Sequence, residues 1–159
     1  MQVDNYLSVQ AKKQVESIIQ KVRSNTDLTP LDIIELSLKD LELIYSMAYT
    51  FYETGQYTKA KALFLKLVLS SPFTAAYWKG IGCVCQMLQE TQDALIYYGV
   101  ASLIDPEDPM IHLYAAKVLI DLSRFEEARG ALIRAESLAP KEDLDFQTQL
   151  EVLYERTTD

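Results

Sequence analysis

The stretch Leu41–Pro72, LELIYSMAYTFYETGQYTKAKALFLKLVLSSP, begins a pattern that returns every 34 residues as far as Pro140. Small residues recur at Ala48, Gly82 and Ala116, and alanines at Ala60, Ala94 and Ala128. Large residues recur at Phe64, Tyr98 and Leu132, followed by Leu67, Ala101 and Ala135. Prolines close the units at Pro72, Pro106 and Pro140. A small residue on one helix lets its partner approach closely, and a proline cannot continue a helix. The register therefore predicts three helix pairs, over residues 41–74, 75–108 and 109–140.

This is the tetratricopeptide pattern, with Trp78 at the fourth position of the second unit. The expected fold is all-α: N-terminal helices within residues 1–36, a three-pair solenoid within 37–140, and a capping helix with an acidic tail in 141–159. Ser37-Leu38-Lys39-Asp40 reads as a capping signal that starts the first helix of repeat one, which should run to about Glu53. Gly55 just beyond it suits a left-handed turn, and the second helix should span Thr58–Leu69. Repeat two should place helices near Thr74–Leu88 and Gln92–Ile104, with Gln89 standing where repeat one has its turn glycine. Asp108-Pro109 starts a helix to Leu122, and the next runs from Arg124 to Leu138. Leu144–Glu155 keeps helical apolar spacing and reads as the lid of the solenoid.

Upstream, Thr29-Pro30-Leu31-Asp32 predicts a short helix carrying Leu31 and Ile34. Gln10–Val22 predicts a further helix whose seam is Ala11, Val15, Ile18 and Val22. One helix cannot bury such a seam alone. Two destinations stay open at this point, the chain's own repeats or a homodimer contact.

Composition narrows the function. A net charge of −8 argues against nucleic acid, which wants clustered Lys and Arg. Cys83 and Cys85 lie two apart on a helix, point to different faces and cannot bridge without strain. Without further ligands they make no zinc site either. No leader and no run of 18 apolar residues is visible, so a cytosolic protein that does not insert into membranes is expected. The one histidine, His112, takes the fourth position of repeat three, as Trp78 does in repeat two, and reads as a packing residue. Gly80 and Gly82 lack the third glycine and the preceding strand of a dinucleotide loop and read as close-packing positions. No catalytic residue, metal ligand or cofactor is predicted.

A stack of helix pairs curls so that the first helices line a concave surface. The second, fifth, ninth, twelfth and thirteenth positions of those helices face it in this repeat family. Repeat one puts Tyr45, Tyr49 and Tyr52 there, between Glu42 and Glu53. Repeat two contributes Ala76, Lys79, Cys83, Gln86 and Met87; repeat three contributes Met110, Leu113, Lys117, Ile120 and Asp121. Ile44, Met47, Ala48 and Phe51 already fill the packing positions beside the tyrosines, so the tyrosines read as a site rather than as core. Tyrosine, aliphatic and methionine side chains suit an extended peptide with apolar anchors.

The run from Leu41 to Tyr57 closely resembles the first repeat of class II chaperones of bacterial type III secretion. Gly80-Ile81-Gly82 with Gln86, and Ala115-Ala116 with Leu119, match that family's second and third repeats. The resemblance covers Ser37 to Ala139. It implies a non-catalytic cytosolic chaperone of hydrophobic translocator proteins, holding an extended N-terminal segment in the groove at Tyr45, Tyr49 and Tyr52. It also implies a homodimer formed through the N-terminal region. Two departures stand out: Asn25–Leu36 holds no glycine, and Lys117 occupies a position usually acidic. A chaperone of needle or filament subunits is the alternative reading. A carboxylate-clamp adaptor is disfavoured, because Tyr45 and Tyr49 occupy positions where it needs polar or basic residues.

Overall fold

The computed structural model describes residues 8–25 and 36–158. Eight helices follow one another there: α1 Val9–Ser24, α2 Leu38–Glu53, α3 Tyr57–Ser70, α4 Ala75–Met87, α5 Thr91–Ile104, α6 Pro109–Asp121, α7 Phe125–Leu138 and α8 Leu144–Glu155. Each helix from α2 onward packs on the next, and α2, α4, α6 and α8 also touch in a row. That row is the inner wall of the solenoid, and α3, α5 and α7 form the outer one. The short helix predicted around Leu31 and Ile34 lies outside the described residues.

Local chemistry explains where the helices start. Ser37 and Asp40 form a reciprocal capping box at the head of α2, with Ser37 Oγ accepting from the Asp40 amide at 3.2 Å. Those hydrogen bonds hold the Asp40 carboxyl below the usual carboxylate range. Asp108 caps α6 by accepting from the Met110 amide at 2.8 Å, and Pro109 takes the first turn, where no amide is needed. Asp143 does the same for α8, accepting from the Phe146 amide at 3.0 Å.

The turn inside each pair has one geometry in all three repeats. Gly55, Gln89 and Ser123 all adopt positive φ, at 74°, 61° and 57°. In each case the next residue's amide donates back to the last helical turn at 2.8 Å: Gln56 to Phe51, Glu90 to Cys85, Arg124 to Leu119. Gln89 and Ser123 accept the left-handed strain that a glycine would avoid. The closing prolines also recur as acceptors. Trp78 Nε1 donates to the Pro72 carbonyl at 2.7 Å. His112 Nε2 likewise lies 2.9 Å from the Pro106 carbonyl, which can only accept from it. The fourth position thus ties the first helix of a pair to the turn before it.

Two apolar clusters fill the interior. The larger is built on Phe64, Leu67, Trp78, Ile81, Tyr98 and Ile111. The smaller gathers Leu113, Leu119, Leu132, Phe146, Leu150 and Leu153, so α8 belongs to it. Leu95 of α5 packs against both. Gly80 and Gly82 are close-packing positions, as their spacing suggested. A Cβ on Gly80 would lie 2.2 Å from the Phe64 ring, and one on Gly82 2.6 Å from Tyr98.

Of the two destinations left open for the α1 seam the structure shows the first, and one packing expectation, Met47, is corrected. The seam of α1 has a partner within the chain: α1 lies on α3 and α5, buries Ala11, and places Val15, Ile19 and Val22 in the larger cluster. Val15 is fully covered, and Ile18 is only half-buried, so Ile19 takes its place in the seam. As folded, Ala11, Val15 and Val22 cannot also form a dimer contact. Met47, assigned to packing, is 43% exposed, because no helix precedes α2 on that side among the described residues.

Candidate functional site: a tyrosine-lined groove

Along the inner wall, Tyr45, Tyr49 and Tyr52 follow one another at helical spacing on α2. Tyr45 is half-buried, its ring edge-on to Phe64 at 6.0 Å and tilted against Tyr77 at 5.6 Å. Tyr49 is 50% exposed and stands 6.5 Å from Tyr52, which in turn leans on Tyr57 at 5.8 Å. The three rings form one wall of a cavity of about 280 Å³, closed by Phe64, Ala76, Lys79, Gly80, Cys83 and Tyr114. Gly80 matters twice here. It lets Phe64 pass beneath α4, and with no side chain it leaves the cavity its depth.

The polar groups of the groove are held in place rather than loose. Tyr98, fully buried, donates its hydroxyl to Gln86 Oε1 at 2.9 Å and lies 3.4 Å from Cys83 Sγ. Burial pushes the Cys83 thiol up, away from the thiolate form, and Cys83 serves as a wall of the cavity. Burial also pushes the Tyr114 hydroxyl up to about 12, with the Cys83 sulfur adding to it. Lys79 Nζ lies 2.6 Å from Asp108 Oδ2 at the end of the same repeat, the same carboxylate that caps α6. Lys117 Nζ donates to Gln149 Oε1 of α8 at 3.0 Å and sits 5.4 Å from the centre of the Tyr114 ring. Its burial lowers the ammonium below its ordinary value.

Of the residues assigned to the groove, Tyr45, Tyr49, Tyr52, Lys79 and Cys83 come together around the cavity, and Gln86 is joined to Cys83 through the Tyr98 hydroxyl. Met87 is 48% exposed further along α4. Met110 is half-buried against the smaller cluster. Leu113 and Ile120 are corrected: both are buried, because α8 brings Phe146, Leu150 and Leu153 to the same cluster. Phe64 and Tyr114 were missed as lining residues. The glycine at the sixth position of repeat two was the signal for Phe64, since the ring needs that gap to reach the wall. Among the described residues no cluster of His, Cys, Asp or Glu could hold a metal ion. No helix among them is long and apolar enough to cross a membrane.

Comparison with known proteins places this geometry. Residues 41–68 and 75–108 match the Tetratricopeptide repeat family. A curated relative, Low calcium response locus protein H of Yersinia pestis, is 27% identical over 104 residues, 65% of this chain. That match spans 62% of the relative's length. Among solved structures, a chain of the CopN–Scc3 complex is 30% identical, with a TM-score of 0.68 over 82% of this chain and 77% of that one. PcrH in complex with the chaperone binding region of PopD is 25% identical, with a TM-score of 0.73 over 77% and 94%. The Yersinia enterocolitica type III secretion chaperone SycD, in complex with a peptide of the translocator YopD, shares the fold at 24% identity and a TM-score of 0.74, over 77% and 95%.

Proposed function

Because the chain belongs to the tetratricopeptide-repeat chaperones of type III secretion, we propose that its groove holds an extended, apolar N-terminal segment of a hydrophobic translocator protein. Holding it there keeps the translocator soluble and fit for export. The observation that carries this reading is the cavity walled by Tyr45, Tyr49 and Tyr52, deep enough for one aliphatic anchor. Tyrosine offers a broad apolar face and a hydroxyl for the backbone of a passing strand. Around that cavity the binding surface comprises Lys79, Cys83, Gln86, Met87, Met110 and Lys117. The chaperone works by binding alone, in the cytoplasm and without a cofactor.

Along the sequence, residues 1–36 are the N-terminal region, residues 37–140 the repeats and residues 141–159 the closing segment; of the N-terminal region, α1 lies on α3 and α5. The working unit is a homodimer. Its contact involves the outward side of α1, where Val9 is 72% exposed, rather than the buried Val15 seam. Sedimentation of the full chain should give the mass of two copies, and Val9→Asp should shift it to one.

The binding test uses peptides tiling the translocators that co-purify with the chain from its host. Tyr49→Ala should weaken the best peptide by about 2 kcal/mol, roughly thirtyfold. The melting temperature should stay near that of the wild type, since half of Tyr49 is already in water. Equal affinity for both proteins would remove the tyrosine wall from the binding surface.

A further inference from the structure

The charges of the inner wall are unequally used. Lys79 is neutralised by Asp108, and Asp121 is paired with Arg156 at 3.1 Å. Lys117 is different. Among the described residues no carboxylate lies within ion-pair distance of its ammonium, although the chain carries a net charge of −8. Lysine normally extends its head into water. Here Gln149 and the Tyr114 ring fix it over the groove floor, beside the cavity that Tyr114 walls. It takes the ninth position of its repeat, the one held by Tyr49 and Cys83, both of which line that cavity.

An ammonium has three donors, and Gln149 uses one. A segment laid along the groove would displace the water that serves the others. Covering the ammonium with an apolar side chain would leave a buried, unpaired charge. Covering it with a carboxylate gives a charge-assisted pair, about twice as strong as a neutral hydrogen bond. Gln149 and Tyr114 hold the head in advance, so little ordering is left for the bound state.

We propose that Lys117 selects an acidic side chain, aspartate or glutamate, in the segment the groove binds, adjacent to the apolar anchor seated between the tyrosines. This rests on the groove-binding reading above and adds to it a charge at a defined place. The discrimination comes as much from rejecting apolar residues at that place as from attracting acidic ones.

The test is selection of a random-peptide display library on the full chain, followed by titration of the best synthetic peptide. Wild type should enrich an acidic residue at one fixed spacing from an apolar one. Lys117→Glu should enrich lysine or arginine there instead. Replacing the peptide's acidic residue by its amide should weaken binding to wild type about tenfold, and leave Lys117→Gln almost unaffected. The peptide-side change needs no altered protein, so a folding defect cannot mimic it. Equal binding of acid and amide peptides to wild type would overturn the proposal while leaving the tyrosine groove standing. Selected peptides that bind Tyr49→Ala as tightly as wild type would overturn the groove reading and this proposal together.

Discussion

The two ends of the inner wall start from the same repeat positions and come to opposite uses. At the fifth and twelfth positions of repeat one, Tyr45 and Tyr52 stay half-open and wall a cavity. At the same positions of repeat three, Leu113 and Ile120 are sealed by the cluster that Phe146, Leu150 and Leu153 of α8 complete. At this end α8 acts as a further half-repeat that covers the apolar face of repeat three. Side-chain chemistry agrees with the division. Leucine and isoleucine gain most from complete burial, whereas a tyrosine left half-open keeps its hydroxyl in water and its ring available. A repeat position therefore says which way a side chain points, and the neighbouring helix decides whether it becomes core or site.

The sharpest way to break the contrast is to remove the lid's anchor. Leu150 is 2% exposed and sits within the smaller cluster. Leu150→Ala should cost about 3 kcal/mol in a urea unfolding series, from lost transfer energy plus the cavity left behind. Peptide affinity at the tyrosine end should hardly change. Tyr49→Ala predicts the reverse, weaker binding at unchanged stability. If Leu150→Ala also abolished binding, the two ends would not be separable.

Glycines sharpen the same point at smaller cost. Gly80 belongs to the open end, and a methyl there would meet Phe64, itself 2% exposed and unable to swing away. Gly80→Ala should destabilise by about 2 kcal/mol through overpacking and weaken peptide binding as α4 moves. Gly130 lies in α7 at the covered end with nothing within 4 Å of an added methyl. Gly130→Ala should stabilise by up to about 1 kcal/mol through helix propensity alone. Thermal melts of the two variants should therefore move in opposite directions.

Much of this was legible in the chain itself. The 34-residue register located the helix pairs, Ser37 and Asp108 announced their caps, and Gly80 and Gly82 announced close contacts. These signals are local: a cap, a turn or a small residue acts within a few residues of itself. What escaped depends on which distant surface arrives. The spacing of Val15 and Val22 showed an apolar stripe, but not that α3 and α5 would cover it. Leu113 and Ile120 pointed inward as expected, and their burial hinged on α8, some thirty residues away in sequence. Met47 failed for the opposite reason: among the described residues no helix covers it, and it stays 43% exposed.

The smallest effect asks whether the covered third repeat shares its backbone turn with the uncovered second one despite their different side chains. Gln89 turns the chain in repeat two and Ser123 in repeat three, with φ of 61° and 57°. Both side chains are exposed, and the bonds that define the turns run through backbone amides, which glycine keeps. The left-handed conformation costs a non-glycine residue roughly 1–2 kcal/mol. Glycine removes that strain but loses more chain entropy on folding, about 0.5–1 kcal/mol. Gln89→Gly and Ser123→Gly should therefore each gain on the order of 0.5–1 kcal/mol, a rise of about 2–4 °C at most in a chain this long. Equal gains would mean that α8 covers the third repeat without altering its turn. A gain at Gln89 with none at Ser123 would mean that the lid already holds the third turn in place, and that the second and third repeats differ in backbone stability.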